Sequence, residues 1–333
     1  MQIGLLQRRE FLTLIGGVAG AWPIGAYAQL GTHMRRIGAM MLLAEDDPQQ
    51  KAWTEAFLRG LQEEGWTDRS MQIDYRWGAG DAARARRYAA ELVALAPDII
   101  LAPGSAGLGP MLQATRDIPI VFVHVPDPVG AGFVDSLSRP GGNATGFMLH
   151  EYATSAKWLE LLKQIAPAVT RVAVIRDPAI SAGIGQWSAI QAVAPSLGVE
   201  VAPVNMRDSA EIERTLATFA RSAHGGLIVT GSALATTHRD LIISLAARHR
   251  LPAVYYEALF VTAGGLISYG PDLADQYHRA GAYLDRILKG EKPADLPVQA
   301  PVKFHLAINM KTAKALGLEL PPTVLAQADS VIE

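Results

Sequence analysis

The stretch Asp98-Ile99-Ile100-Leu101-Ala102-Pro103-Gly104-Ser105-Ala106 couples a short apolar run to a Gly-Ser-Ala tripeptide. The stretch Leu227-Ile228-Val229-Thr230-Gly231-Ser232-Ala233 couples the same two things again. Two further landmarks recur in the same order. Arg36-Ile37 returns as Arg171-Val172, and Ile118-Pro119-Ile120-Val121 returns as Leu251-Pro252-Ala253-Val254. The three offsets are 135, 127 and 133 residues. A period this long exceeds the 20–50 residues of solenoid repeats, so the chain reads as two lobes of similar α/β fold.

Outward from these landmarks the hydrophobic period alternates. Ile37–Leu43 is a continuous apolar run, as a strand buried on both faces requires. Trp53, Phe57, Leu58 and Leu61 mark one face of a helix that Gly65 ends. Met71–Trp77 alternates like a strand near a sheet edge, Ala82–Leu95 is helical up to Pro97, and Asp98–Ala102 is a strand. Ala106–Thr115 reads as a helix and Pro119–Val123 as a strand. The second lobe repeats the pattern: strands at Arg171–Arg176, Val199–Asn205, Leu227–Thr230 and Pro252–Tyr256, with helices at Gly185–Leu197, Ala210–Ala220 and Thr237–Arg248. Repeated strand–helix units predict parallel sheets with helices on both faces.

Composition bounds the function. The 333 residues are 50% hydrophobic and 19% charged, which excludes a disordered chain and leaves room for a core in each lobe. Cysteine is absent, removing disulfides, thiolate nucleophiles and thiolate metal sites together. Thirty basic against 32 acidic residues give a net charge of −2, with no footprint for nucleic acid or an anionic membrane.

The N-terminus reads as an export signal. Arg8-Arg9-Glu10-Phe11-Leu12 leads a Gly-rich apolar run to Ala26, and Ala26-Tyr27-Ala28 supplies small residues for cleavage near Ala28. The arginine pair is similar to a twin-arginine leader. The run is too short for a membrane anchor, and no later stretch reaches 18 unbroken apolar residues. The expectation is a periplasmic chain that is not membrane-spanning once residues 1–28 are removed.

Ligands of open parallel sheets bind beyond the carboxyl ends of the strands. Those ends are the loops beginning at Leu43 and Ala44, Gly104-Ser105-Ala106, His124 to Asp127, Asp177–Gly183, Gly231–Ala235 with Ser232, and Glu257. If two lobes face each other, all of them line one cleft. The tripeptides suit a carboxylate, because glycine admits close approach, serine supplies a donor and the following helix offers free N–H groups. Each is equally an ordinary turn with an N-cap serine. His124 is either a cleft residue or a hydrogen-bonded loop histidine. Tyr152, Tyr256 and Tyr269 are candidate ligand faces or rim aromatics. Asp272 would hold an ammonium group or cap the helix Leu273–Lys289.

Enzyme signatures are missing. Gly104-x-x-Gly107-x-Gly109 inverts the dinucleotide fingerprint, and the acidic Ala44-Glu45-Asp46-Asp47 loop follows the first strand instead of a glycine turn. Ile267-Ser268-Tyr269-Gly270 has Leu266 where a nucleophile elbow needs its first glycine. The histidines show no metal spacing. No catalytic residue, cofactor or metal site is implied.

With these residues in view, the mature chain resembles the substrate-binding proteins of bacterial ABC transporters, in the branch that includes tryptophan and other aromatic amino-acid binders. The resemblance rests on Arg36-Ile37-Gly38, Phe57–Gly65, Ile118–Phe122 and Ile308-Asn309 with Thr312–Leu318. It rests most on Asp127-Pro128-Val129-Gly130 and Arg139-Pro140-Gly141-Gly142-Asn143-Ala144-Thr145-Gly146. It implies a type I periplasmic-binding-protein-like α/β fold, with two doubly wound parallel-sheet lobes joined by three crossovers. The first lobe would hold residues 34–148 and 270–297, the second 149–268 and 302–333. A small organic ligand, an amino acid or aromatic compound, would be captured by hinge closure and delivered to an ABC permease at the inner membrane. Ser105, Ala106, the His124–Asp127 segment, Ser232 and Tyr256 would contact it, with Asp272 meeting an amine. The Gly104–Gly109 and Gly231–Ala235 loops are plainer than this branch implies, which leaves a less polar or unrelated ligand open. A ligand-sensing module, or an exported α/β hydrolase, are the alternatives.

Overall fold

A computed structural model describes residues 34–78, 82–149, 152–206 and 208–333. The leader read over residues 1–28 lies outside the described residues.

The first part of the chain runs β1 (Arg35–Met41), α1 (Pro48–Glu63), β2 (Met71–Trp77), α2 (Ala82–Ala94), β3 (Ile99–Pro103), α3 (Gly104–Ala114), β4 (Ile120–Val125) and β5 (Ala144–Met148). Its parallel sheet has the order β2-β1-β3-β4-β5. The alternation of side chains explains why helices cover both faces. Ile37, Ala39 and Met41 of β1 pack with Phe57 and Leu61 of α1, while Met40 packs with Leu92 and Leu108 of α2 and α3.

The second part runs α4 (Tyr152–Ile165), β6 (Arg171–Arg176), α5 (Ser181–Val193), β7 (Glu200–Asn205), α6 (Ser209–Phe219), β8 (Gly225–Val229), α7 (Ala233–Thr237), α8 (Arg239–Arg248), β9 (Ala253–Tyr255), α9 (Ala258–Thr262) and β10 (Ile267–Pro271). After it come α10 (Leu273–Leu288), β11 (Phe304–Asn309), α11 (Met310–Leu316), α12 (Pro322–Leu325) and β12 (Ser330–Ile332). The second sheet has the order β7-β6-β8-β9-β10-β11-β12. Its first five strands repeat the winding of the first sheet, with β6 in the place of β1, β8 in that of β3 and β9 in that of β4. These are the strands that carry the repeated sequence landmarks. β11 departs from the parallel pattern, pairing antiparallel with β10 through Gly270↔His305 and Pro271↔Phe304.

Several element ends differ from the sequence reading for local reasons. Pro195 lacks an N–H, so α5 stops at Val193 and a short 3-10 turn over Pro195–Leu197 follows. The helix read over Thr237–Arg248 begins at Arg239 as α8, and a short α7 over Ala233–Thr237, parted from it at His238, precedes it. Gly65 does end α1, in the left-handed region at φ +90. Asp47, in the acidic loop after β1, accepts from the Gln49 and Gln50 N–H groups and caps α1.

The chain crosses between the sheets three times. It leaves β5 for α4, whose neighbours are α5, β8 and β9. It returns after β10 through α10, which lies against α1 at the first sheet. There Gly60 and Gly281 let the helix backbones meet; a Cβ on Gly60 would stand 2.0 Å from the His278 carbonyl oxygen. Finally, Gln299 bridges to Phe147 of β5 before the chain enters β11 of the second sheet.

Candidate functional site

In each sheet the strand order reverses direction beside its first strand, at β1/β3 and at β6/β8. Such switch points open a crevice at the carboxyl ends of the strands. Here the two crevices contribute to one cavity of about 400 Å³. Leu42 and Leu43 after β1, Gly104, Ser105 and Ala106 at the start of α3, and His124 and Pro126 at the end of β4 form its first-sheet wall. Asp177 and Ile180 after β6, Ser232, Ala233, Thr236 and Thr237 around α7, and Tyr256 with Glu257 after β9 form the other. Leu149 lies in the first crossover and Trp53 comes from the start of α1.

The two Gly-Ser-Ala tripeptides are not equivalent in the folded chain. Gly104 sits at φ +66 and is itself the first residue of α3; Pro103 precedes it and no side chain caps the helix. The first-turn N–H groups therefore have no intrahelical partner. Ser232 instead caps α7, its hydroxyl accepting from the Ala235 N–H at 3.1 Å.

His124 reaches the cavity through a backbone irregularity. The β4/β5 register shifts between Phe122 and Val125, and His124 adopts φ +63. A bulge of this kind re-aims a side chain that a regular strand would point elsewhere. Gln276 of α10 holds the conformation: its Oε1 accepts from the His124 N–H at 3.0 Å, while its Nε2 donates to the Met148 carbonyl at 2.9 Å. Trp53 meets the His124 ring edge-on at 5.8 Å and stacks on Tyr277 at 5.6 Å.

The charge in the cavity is acidic. Asp177 and Glu257 line it, His124 supplies its imidazole and Tyr256 a phenol, and no lysine or arginine lines it. Asp177 Oδ1 accepts from the Ala179 N–H at 2.9 Å. Glu257 is buried, and neither carboxylate oxygen has a hydrogen-bond partner among the described residues. Its Oε2 lies 3.8 Å from His124 Nε2. The nearby Tyr256 and Thr236 hydroxyls bond to each other at 2.7 Å. Burial pushes the Glu257 carboxyl up to about 7, with the Tyr256 hydroxyl, the Arg239 charge and the Thr236 hydroxyl pulling the other way.

Of the residues singled out in the sequence, Leu43, Gly104, Ser105, Ala106, His124, Ser232, Tyr256 and Glu257 line this cavity. Ala44, Asp127, Tyr152, Tyr269 and Asp272 stand outside its lining. The Ala44 carbonyl accepts from the Asp47 N–H in a turn at 3.2 Å. Asp127 accepts from the Gly130 N–H at 2.8 Å and from the Tyr152 hydroxyl. Tyr152 lies over Gly185, where a Cβ would come within 2.4 Å of its ring. Tyr269 stacks on Phe304 at 5.4 Å, and its carbonyl accepts from Trp158 Nε1. Asp272 caps α10, accepting from the Asp275 N–H at 3.1 Å, and lines a neighbouring cavity of about 320 Å³. Asp177 and Ile180 come from the Asp177–Gly183 loop that the sequence reading places at the cleft, whereas Leu42, Trp53, Leu149, Thr236 and Thr237 were missed. Trp53 heads the apolar stripe of α1 and so reads as core.

The sequence profile of the ABC transporter substrate binding proteins matches residues 39–332. The chain is 26% identical over 286 residues to a tyrosine-binding protein of Clostridioides difficile (strain R20291), covering 86% of this chain and 81% of that protein. Among solved structures, an ABC domain from Streptococcus pneumonia in complex with L-Trp is 27% identical, with a TM-score of 0.82 over 90% of this chain and 100% of that one. A ligand-free, open substrate binding protein with adhesive properties from Clostridium difficile is 25% identical, with a TM-score of 0.70 over 90% of this chain and 99% of that one.

Proposed function

Since the chain belongs to the ABC transporter substrate binding proteins, we propose that it captures an aromatic amino acid in the cavity between its two sheets and hands it to a membrane permease. The observation that carries this reading is the lining itself: aromatic rings of Trp53, His124 and Tyr256 beside a buried Glu257 without a hydrogen-bond partner among the described residues, with no lysine or arginine among them. Rings supply a flat apolar contact for an aromatic side chain. An acidic cavity favours a ligand carrying an ammonium group and disfavours phosphates and dicarboxylates. The ligand carboxylate has a place at the uncapped first turn of α3 beside Ser105. The L-Trp complex and the tyrosine-binding relative agree with this ligand class.

Binding is coupled to closure. Residues 34–148 with 270–297 move as one lobe and residues 149–268 with 302–333 as the other, hinging at the three crossovers. Each wall of the cavity holds part of the contact set, so only the closed form makes all of it, and the ligand shifts the population toward that form. The chain is nearer in shape to the L-Trp complex than to the ligand-free, open relative, at almost equal identity. The Arg8-Arg9 leader and Ala26-Tyr27-Ala28 direct export to the periplasm, where a transport binding protein meets its cargo. No described helix is long and apolar enough to cross a membrane.

The test is calorimetry of the purified protein with L-tryptophan, L-tyrosine and L-phenylalanine, against acidic and aliphatic amino acids. At least one aromatic amino acid is expected to bind at about micromolar Kd, near −8 kcal/mol. Preference for an aliphatic or acidic amino acid overturns the reading.

A further inference from the structure

Building on the aromatic amino-acid reading, we propose that selection at this cavity is carried by the ligand's ammonium group against Glu257, so that decarboxylated aromatic amines are ligands alongside the amino acids. Glu257 is 3% exposed and both its carboxylate oxygens lack a hydrogen-bond partner among the described residues. A buried carboxylate in that state either holds a proton or takes a cation that donates to it. Among the described residues no lysine or arginine donates to it, and the hydroxyls beside it, of Tyr256 and Thr236, are neutral. His124 Nε2 stands 3.8 Å away, within ion-pair reach when its ring is protonated but too far to donate a hydrogen bond, and Arg239 directs Nε to Asp240 at 2.9 Å. The donor that completes the site therefore comes from outside the chain. An ammonium group brings a full charge and three N–H donors, while the aromatic rings beside it accept the ligand's apolar body.

The contacts open to a ligand carboxylate are of a different kind. They are neutral: the Ser105 hydroxyl and the first-turn N–H groups of α3. No lysine or arginine lines the cavity, and Asp177 adds a second negative charge to it. Coulomb interactions inside a water-poor cavity are stronger than at the surface, so this imbalance rewards the ammonium and gives the carboxylate little. Removing the carboxylate from the ligand leaves the dominant interaction intact; removing the amine leaves Glu257 without its partner.

The experiment is isothermal titration calorimetry of the purified protein with L-tryptophan and L-tyrosine, their amines tryptamine and tyramine, and the deaminated acids 3-indolepropionate and 3-(4-hydroxyphenyl)propionate. Each amine is expected to bind within tenfold of the tighter-binding amino acid's Kd, and each acid at least a hundredfold more weakly. Glu257→Gln is expected to weaken amines and amino acids alike by at least tenfold, with circular dichroism showing the fold retained. Amines that bind more than tenfold more weakly than the amino acids overturn this inference and leave the aromatic amino-acid reading standing. Acids that bind as well as the amino acids overturn it too, as does a loss seen on Asp177→Asn but not on Glu257→Gln. If neither amino acids nor amines bind, both readings fall together.

Discussion

His124 and Glu257 face each other across the cleft, Nε2 to Oε2 at 3.8 Å, the first carried by the bulged end of β4 and the second by the turn after β9. Burial of that carboxylate has a consequence for stability. The folded group titrates near 7 and the unfolded one near its ordinary 4.5, so the folded chain binds the proton more tightly. Stability from this group is fully present below about 4.5, is lost as pH rises through 7, and is level above that. The loss is roughly 3 kcal/mol. Urea unfolding of ligand-free protein between pH 4.5 and 8 is expected to show this slope in the wild type and to lack it in Glu257→Gln. Equal slopes in the two proteins contradict the assignment.

The two serines of the repeated tripeptides separate stability from binding. Ser232 caps α7, so Ser232→Ala costs about 1 kcal/mol of stability. Ser105 caps nothing and sits at the uncapped start of α3, so Ser105→Ala leaves the melting temperature in place. Its cost is expected in ligand affinity, about 1 kcal/mol or fivefold in Kd. Thermal melts and calorimetry on both variants check the split; a Ser105→Ala protein that melts early but binds normally inverts it.

The same serines mark where sequence reasoning works and where it stops. The repeated apolar-run and tripeptide pattern was legible because strand order and parallel pairing follow from hydrophobic period and chain connectivity. The equivalent windings of β1–β5 and β6–β10 bear this out. What distinguishes Ser105 from Ser232 was not legible, since it depends on whether the helix starts at the glycine before the serine or at the alanine after it, a shift of two positions. His124 was legible as a strand-end residue but not as a bulged one, because the buried Gln276 that supports it lies 152 positions away. Trp53 was hidden by its own helix: a stripe at helical spacing records which face is apolar, not that its first member ends at a cleft. The antiparallel β11 and short β12 were also not anticipated, their few residues giving too little period to read.

Gly60 and Gly281 carry the contact between α1 and α10. A Cβ on Gly60 would stand 2.0 Å from the His278 carbonyl oxygen, and one on Gly281 would stand 2.4 Å from the Gly60 carbonyl carbon. Both obstacles are backbone, so a helix must shift. Gly60→Ala or Gly281→Ala is expected to destabilise by at least the 1–3 kcal/mol typical of overpacking, about, despite alanine's better helix propensity. Gly290→Ala is a poor control because of its positive φ, whereas Gly142→Ala, with nothing within 4 Å of its Cβ, isolates the packing effect. Denaturant midpoints that match between Gly60→Ala and Gly142→Ala would show that the two helices are not held at close approach.

The hydroxyl of Tyr152, at the start of α4, donates to the carboxylate of Asp127, which follows β4. The bond therefore ties the end of the first sheet to a helix packed beside β8 and β9 of the second. Burial, with the Asp127 carboxylate beside it, drives the Tyr152 phenol well above its ordinary range, so it remains a donor at every physiological pH. If the lobes hinge as proposed, this bond belongs to the closed arrangement and its removal favours the open one. Tyr152→Phe keeps the ring over Gly185 and deletes only the hydroxyl. The net loss of one such bond, about 1 kcal/mol, is expected to weaken ligand binding about fivefold and to enlarge the radius of gyration of the ligand-free protein. Small-angle scattering and calorimetry on the same samples read both quantities. A lowered melting temperature with unchanged radius and unchanged Kd would assign the bond to the fold of the 127–152 region and not to closure.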